Sequence, residues 1–440
     1  MNKADLIVSN ALIRIVGVFE TSSKLDATIK RFKTSNYSEE IIKDESSFYK
    51  NYWYPEFRDL YFLKKEKSSA TILKKSPNET VEFIVREDKV TNERITLNAK
   101  IEDVEIFLFE NNLDFFTIDL SIETNSLSGY SDLMYCARSF ETQLLKDEEK
   151  SSWVNFIEND ILTGIKITSD TQKVKVDEYS GSKFKLYTVF DLEENIEQKT
   201  RLELLYDLGS VAKIGSAGGN EYFSPSESYL NQLLKNKITV FNNYDILPLF
   251  DSFTVLGTNI LTDEKSSFQN TRWSSLYFRI FIHNLYIKYN LFRFNSDMIE
   301  DSVKVRDQFE QFLNNYNLSH ISYNFLPNTI YQEHRNSLDI DAELSKFQKR
   351  INRISQAIQE EKQSRSNLLL GIVGFFTSIS SISPILSFVN DIKIKSGFNA
   401  VLFYVLIVFG LFVIGIPLLI YMFPDKYTKI KRKWRTRNNK

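Results

Sequence analysis

Two long runs without a charged residue lie near the C-terminal end, 367–389 and 398–423, split by the short polar link NDIKIKSG. A helix needs about 20 such residues to cross the hydrocarbon core of a bilayer. A link this short makes the two runs an antiparallel helical hairpin. Burial inside a soluble domain is the alternative for each run, and the serines leave it more open for the first. After Phe423 the chain reads PDKYTKIKRKWRTRNNK, eight Lys/Arg and one Asp, about +7. Basic residues next to an apolar run mark its cytoplasmic flank. The expectation is a multi-pass protein of the cell's inner membrane with both termini in the cytoplasm and the link outside.

The two runs differ in angular pattern. At about 100° per residue, Ile372, Phe375, Ile379, Ile382 and Leu386 share one narrow stripe. Gly371, Gly374, Thr377, Ser378 and Ser381 lie on the opposite side, and Ser380, Ser383 and Ser387 flank them. The second run is Phe, Leu, Val and Ile all round. The first helix is therefore the inner one. Its small-residue face either packs against other helices or lines a hydroxyl-rich pore. The pore reading assigns Gly374, Thr377, Ser378 and Ser381 to the lining, with Asn390 at the outer end.

Upstream, Ile340, Leu344, Phe347, Ile351, Ile354 and Ile358 are spaced 4, 3, 4, 3, 4, an unbroken heptad seam. Ser337 with Asp339 and Asp341 marks a helix start. No Pro or Gly occurs from there to Gly371, so one helix of about 50 residues, about 75–80 Å long, should lead into the first run. The seam either packs on its own domain or joins copies of the chain in a stalk.

The rest looks soluble. The whole chain carries −2 and the tail about +7, which leaves about −9 for residues 1–424. That balance argues against nucleic acid as a partner. The N-terminal MNKADLIVSNALIRIVGVFE is interrupted by Asp5 and Arg14 and is no signal peptide; 12–19 alternates like a strand. The segment 104–123 alternates around Asn111–Asn112, a β-hairpin pattern. VEFIVRE, FKLYTVFDL, KITVF and SFTVLG add strands. SYLNQLLK, WSSLYFRIFIHNLYIKYNLF and MIEDSVKVRDQFEQFLNNY are helical in pattern. The fold class is α+β, with an α/β-type cytoplasmic domain, a long stalk helix and two C-terminal transmembrane helices. The expected divisions are 1–270 (sensor domain), 271–366 (helical region and stalk), 367–389, 390–397 (outer loop), 398–423 and 424–440 (basic tail).

Catalytic signals are weak, and neither an enzyme nor a cofactor is expected. His283, His320 and His334 are too scattered for a metal motif, and no metal ligand set follows. The lone Cys136 excludes an internal disulfide framework and suits the core. IGSAGGNEYFSPSE is a glycine-rich loop opening a helix, with Ser224 and Glu227 spaced as a capping box. Gly218, Gly219, Asn220 and Ser224 could hold an anion there, although an ordinary loop is the plainer reading. In TRWSSLYFR, Arg272, Trp273 and Arg279 could stack on and pair with a nucleotide, or the arginines could snorkel from a packed helix.

The order of parts resembles the CorA-like family of two-helix membrane proteins. The pieces that carry the likeness are the 104–123 hairpin, the long helix 338–389, the link 390–397, the run 398–423 and the basic KIKRKW. The resemblance implies a homo-oligomer of five subunits in a lipid bilayer, with the first membrane helix around the pore. Magnesium channels of the family carry Gly-Met-Asn at the outer end of that helix. This chain reads LSFVNDIKIKSG, where only Asn390 echoes the motif and Lys393 and Lys395 stand beside it. It is more similar to a branch without the motif, associated with type III CRISPR systems. That likeness implies an antiviral membrane effector gated by a nucleotide second messenger, such as S-adenosylmethionine joined to AMP. A CorA-like divalent-cation (magnesium) transporter and a membrane-anchored enzyme or scaffold are the other readings.

Overall fold

The computed structural model describes residues 3–40, 47–62, 70–87, 93–146, 148–167, 183–219, 224–297 and 302–396. Side chains at 47, 48, 302, 303, 375, 376 and 378–396 are outside that description. Two compact units are present, Met1–Phe347 and Gln348–Lys440.

In chain order the first unit contains β1 (Val8–Glu20), α1 (Leu25–Thr34), β2 (Ser38–Glu39), α2 (Ser47–Tyr52), α3 (Pro55–Tyr61), β3 (Thr71–Lys75) and β4 (Glu79–Glu87). Then come β5 (Arg94–Leu108), β6 (Leu113–Ser121), α4 (Leu127–Arg138), β7 (Gln143–Lys146), β8 (Glu149–Ser152) and β9 (Lys185–Leu192). The remainder is α5 (Gln198–Ser210), α6 (Glu227–Leu233), β10 (Ile238–Phe241), β11 (Tyr244–Pro248), β12 (Ser252–Gly257), α7 (Phe278–Asp297), α8 (Ser302–Tyr316) and α9 (Phe325–Ser337). The long helix α10 (Ile340–Ser396) starts in this unit. α7, α8 and α9 belong to the same unit as the sheet, and α10 passes from it into the second.

The described strands make a 12-stranded sheet in the order β10-β11-β12-β9-β1-β6-β5-β4-β7-β8, with β3 on β5 and β2 on β3. β9 and β12 pair in parallel; the other pairs are antiparallel. The β5–β6 hairpin forms where the alternation places it. Asn112 takes the left-handed φ of 61° that the turn needs, which Asn tolerates better than most residues.

The sheet is apolar on both faces, so it is covered on both. One face puts Ile13, Ile15, Phe19, Phe116 and Ile118 against Phe32 of α1, Leu133 of α4 and Leu204 of α5. Gly17 faces Phe116 in the register, and a Cβ there would come within 2.2 Å of the ring. Only glycine lets that ring lie across β1. The other face carries Phe107, Phe115 and Tyr187, which meet Phe278, Tyr286 and Phe281 of α7 at centroid distances of 5.1–6.4 Å. Truncating one such buried phenylalanine to alanine costs about 3–5 kcal/mol.

A cluster of charged residues is buried between α7 and the sheet. Arg14 on β1 lies opposite Asp119 on β6 and pairs with it. Arg279 of α7 donates to Glu105 at 2.9 Å and to Glu40 at 2.8 Å, and Arg14 approaches Glu105 at 3.8 Å. Burial alone would raise the Glu105 carboxyl; Arg279, Arg14 and Lys74 outweigh it and hold it down at about 2.

The segment before α7, Arg272–Tyr277, is a wide π-helical turn. Such turns free backbone carbonyls. Here Arg14 Nη1 donates to Ser274 O at 3.0 Å and Tyr187 Oη to Trp273 O at 2.9 Å. The sheet thereby satisfies carbonyls that an α-helix would satisfy internally.

α9 and α10 meet at a sharp joint. Ser337 ends α9 and donates to His334 O, while Asp339 has φ 54° and accepts from Glu343 N. The helix therefore begins at Ile340, three residues beyond Ser337. α10 runs without a break through 367–389 and on through 390–396, where an outer loop is expected from the sequence. From 385 to 396 the sequence has no Gly or Pro, and Gly397 is the first breaker. Among the described residues no helix is long and apolar enough to cross a membrane. Within 367–389 the described side chains extend only to Gly374 and Thr377. The run 398–423 and the basic tail lie outside the described residues.

Candidate functional site

The glycine-rich loop is closed around one of the chain's own carboxylates. Asp207, wholly buried at the end of α5, accepts from Gly215 N and Ala217 N, both at 2.8 Å. Lys3 then joins Glu203 at 2.6 Å to Ala217 O at 2.9 Å. Gly218 has φ 74°, and a Cβ on it would sit 2.6 Å from Glu203 Oε1. The backbone donors that would meet a phosphate are occupied, and Asp207 and Glu203 would repel one. Gly219 packs against Gly215 O and Ser224, whose buried Oγ has no hydrogen-bond partner among the described residues. Asn220 lies outside the described residues. The cap of α6 is Ser226, which accepts from Tyr229 N at 3.3 Å, and not Ser224. Pro225 accounts for the shift, because it fits the extended backbone before a cap as well as the first helical turn.

Arg272, Trp273 and Arg279 do not converge on one site. Arg272 is half-buried, its guanidinium 5.0 Å above the Phe268 ring. Trp273 is buried edge-on to Tyr244 and Tyr277. Arg279 points into the core, held by Glu105 and Glu40. Cys136 is buried, and burial pushes its thiol up to about 12. His283 and His334 are wholly buried, and burial holds both imidazoles neutral, at about 3. Among the described residues no group of His, Cys, Asp and Glu is placed to hold a metal ion.

In the seam, Ile340, Leu344, Phe347 and Ile351 are buried in the single chain, and Ile354 and Ile358 are half-buried. Phe347 packs edge-on to Phe309 of α8 at 4.5 Å. The first three positions are thus covered by their own unit. Thr377 donates back to Val373 O at 2.7 Å, and a Cβ on Gly374 would meet nothing within 4 Å. Ser378, Ser381 and Asn390 lie on α10, with side chains outside the description.

The geometry supports a different ligand site. A cavity of about 420 Å³ opens between the β5–β6 turn, the end of α7 and α8. Small-molecule sites usually fall at about 300–1,000 Å³. Tyr286, Phe294, Phe312 and Tyr316 form its aromatic floor. The α8 wall carries the amides of Gln308, Gln311 and Asn315; the opposite wall carries Glu110, Asn111, Arg293 and Asp297. The opposite wall is held in place. Arg293 donates to Asn111 O at 2.8 Å and Asn290 Oδ1 at 3.0 Å, and Asn111 Nδ2 donates to Asn290 Oδ1 at 2.7 Å. Tyr286 stacks on Phe109 at 3.9 Å.

Beneath the turn, Asp114 accepts from Phe109 N at 2.8 Å and Thr21 Oγ1 at 3.0 Å. Burial pushes its carboxyl up to about 7, against those two bonds and Arg293. Two carboxylates and one engaged guanidinium make the cavity a poor polyphosphate site. Amide-bearing walls over a closed aromatic floor suit a planar polar group, such as a nucleobase, that is recognised by hydrogen bonds at its edges.

These lining residues come from three elements, up to about 200 positions apart in sequence, and none sits in a motif. Only the Asn111–Asn112 turn was visible as a landmark. No family model matches the chain, and neither does any curated protein or solved structure.

Proposed function

We propose that the chain is an oligomeric CorA-like membrane pore, gated by a cytoplasmic ligand of the nucleotide second-messenger class. It would act as a membrane effector in CRISPR-associated antiviral defence. The observation that carries this reading is α10. Its first two turns belong to the unit that holds the cavity, and the same helix includes the charge-free run 367–389. In this reading five copies surround an axis in the inner membrane. Gly374, Thr377, Ser378 and Ser381 face that axis, with Asn390 near its outer end and both termini in the cytoplasm. Lys393 and Lys395 disfavour a selective cation entrance. The ligand's base lies on the aromatic floor, with its phosphates toward solvent.

Dye release from liposomes carrying the full-length protein tests the reading. Release should appear on adding a nucleotide that binds the protein, and Ser381→Leu should suppress it while Ile379→Val leaves it intact. Lys393→Cys should react with an impermeant thiol reagent in whole cells, and Lys433→Cys should not. Tight liposomes under every nucleotide tried, or labelling at 433 instead of 393, would end the reading.

A further inference from the structure

The helix that forms one wall of the cavity also seats the long helix. Phe312 on α8 lies in the cavity floor. One turn earlier on the same helix, Phe309 meets Phe347 of α10 at 4.5 Å. Phe294 of α7 touches all three: Phe312 at 5.4 Å, Phe309 at 5.5 Å and Phe347 at 6.2 Å. Residues three apart on a helix share a face and move together. Any shift of α8 felt at Phe312 is therefore felt at Phe309, and so at Phe347.

The anchoring of α8 favours such a shift. Its C-terminal end is tied to α7, because His283 Nε2 lies 3.0 Å from Tyr316 O. His283 Nδ1 is 3.0 Å from Tyr61 Oη, so the tautomer with the proton on Nε2 makes both bonds. That tie places the pivot at Tyr316. Phe309 lies two turns away, midway along α8. The polar groups of one cavity wall, Gln308, Gln311 and Asn315, are all on α8, whereas the facing groups are fixed on the turn and α7. A ligand bridging the walls therefore draws α8, with its buried face of Phe309 and Phe312, toward a wall already fixed by its own bonds.

We infer that the cavity is an effector site whose occupancy is read by α10 through the Phe309–Phe347 contact. This rests on the reading of the cavity as the ligand site. The occupant's class is a planar heteroaromatic group recognised at its edges by amides, since the walls carry more negative than positive charge.

Gln311→Trp tests the inference without a ligand. Gln311 is exposed on α8, and the indole would fill the cavity. The readout is backbone hydrogen exchange in the full-length, detergent-solubilised chain. Exchange should change about threefold or more in 308–316 and also in 340–347. Adding Phe347→Leu should abolish the change in 340–347 and leave that in 308–316. Gln308→Trp, also on the exposed wall, is the second variant should the first fail to fold. A change confined to 308–316 would overturn the coupling while leaving the cavity as a ligand site. No change in either segment would overturn both. Liposomes that stay tight while exchange behaves as expected would sink the pore and leave this coupling standing.

Discussion

Lys288, buried on α7, donates to Glu343 of α10 at 2.7 Å and, with the same ammonium, to the Leu338 carbonyl at 2.6 Å. One cation thus holds both sides of the α9–α10 joint. The Phe292 ring covers it at 4.8 Å. Lys288→Met removes the charge and keeps much of the stem. Glu343 and the Leu338 carbonyl then lose a partner, and breaking a largely buried pair costs about 3–5 kcal/mol. Glu343 is partly exposed, so the lower part of that range is expected. Chemical denaturation measures it, and the Lys288→Met, Glu343→Gln cycle should give a coupling of at least about 1 kcal/mol. Additive single effects would mean that the pair does not hold the joint.

The Arg14–Asp119 pair spans β1 and β6 inside the core. Arg14→Met leaves Asp119 buried without its counter-charge and frees the Ser274 carbonyl. A loss of about 3–5 kcal/mol is expected. Adding Asp119→Leu should restore part of it, because the orphaned charge is removed as well. Tyr187→Phe, which deletes only the donor to Trp273 O, should cost about 1–3 kcal/mol. A neutral Arg14→Met variant in equilibrium unfolding would contradict the buried-pair account.

Stability should depend on pH through groups that pull in opposite directions. The Asp114 carboxyl is raised from 3.8 to about 7 in the folded chain, so folding takes up a proton between those values. Its contribution is full below about 4 and is lost as pH rises toward 7. His283 and His334 are lowered from 6.5 to about 3. Their contribution is full above 6.5 and is lost as pH falls. Asp207, raised by burial from 3.8 to about 6, pulls with Asp114, so between pH 4 and 6 two aspartates oppose two histidines and the wild-type slope should be shallow. Asp114→Asn removes one of the two opposing groups, so the variant should lose more stability on acidification than the wild type. Thermal melts at pH 4.5, 6 and 8 decide this; a shallower slope in Asp114→Asn would contradict the assignment.

Asp207→Ala should release the loop it encloses. Two backbone donors, Gly215 N and Ala217 N, lose their acceptor, at about 1–3 kcal/mol in all. Exchange protection at 215 and 217 should fall by tenfold or more while α5 stays protected. Gly218→Ala should have a similar local effect, because its φ of 74° and the nearby Glu203 both resist a Cβ. Unchanged protection in both variants would mean that other contacts shape the loop.

Regular elements were legible because their periods were clear. The alternation at 104–123 is met by β5–β6, and the 3.6-residue patterns at 273–292 and 298–316 are met by α7 from Phe278 and by α8 from Ser302. What stayed hidden depends on partners remote in sequence. Arg279 reads the same whether it snorkels, binds a nucleotide or pairs with Glu105, and only the packing of α7 on β5 separates these. The loop at 214–219 reads as an anion site because its backbone does hold an anion, Asp207 of its own chain. The cavity had no local signal at all, since Asn111, Arg293 and Gln311 meet only through tertiary packing. The heptad pattern was real, but spacing alone does not say whether Phe347 faces another copy or Phe309.

The position of β1 sets the order in which this unit can be completed during synthesis. It precedes every other described strand in the sequence, yet it lies mid-sheet between β6 and β9. Its Arg14 waits 105 residues for Asp119, and its other edge waits until β9, which begins at Lys185, has been made. Until then one edge of β1 has no strand to pair with, and the face that α7 covers is bare, a condition in which nascent chains mispair or recruit chaperones. Covering the second face requires α7, which ends at Asp297. The apolar runs come later still, so the globular unit can close before any of that greasy sequence is exposed to compete with β1 for partners.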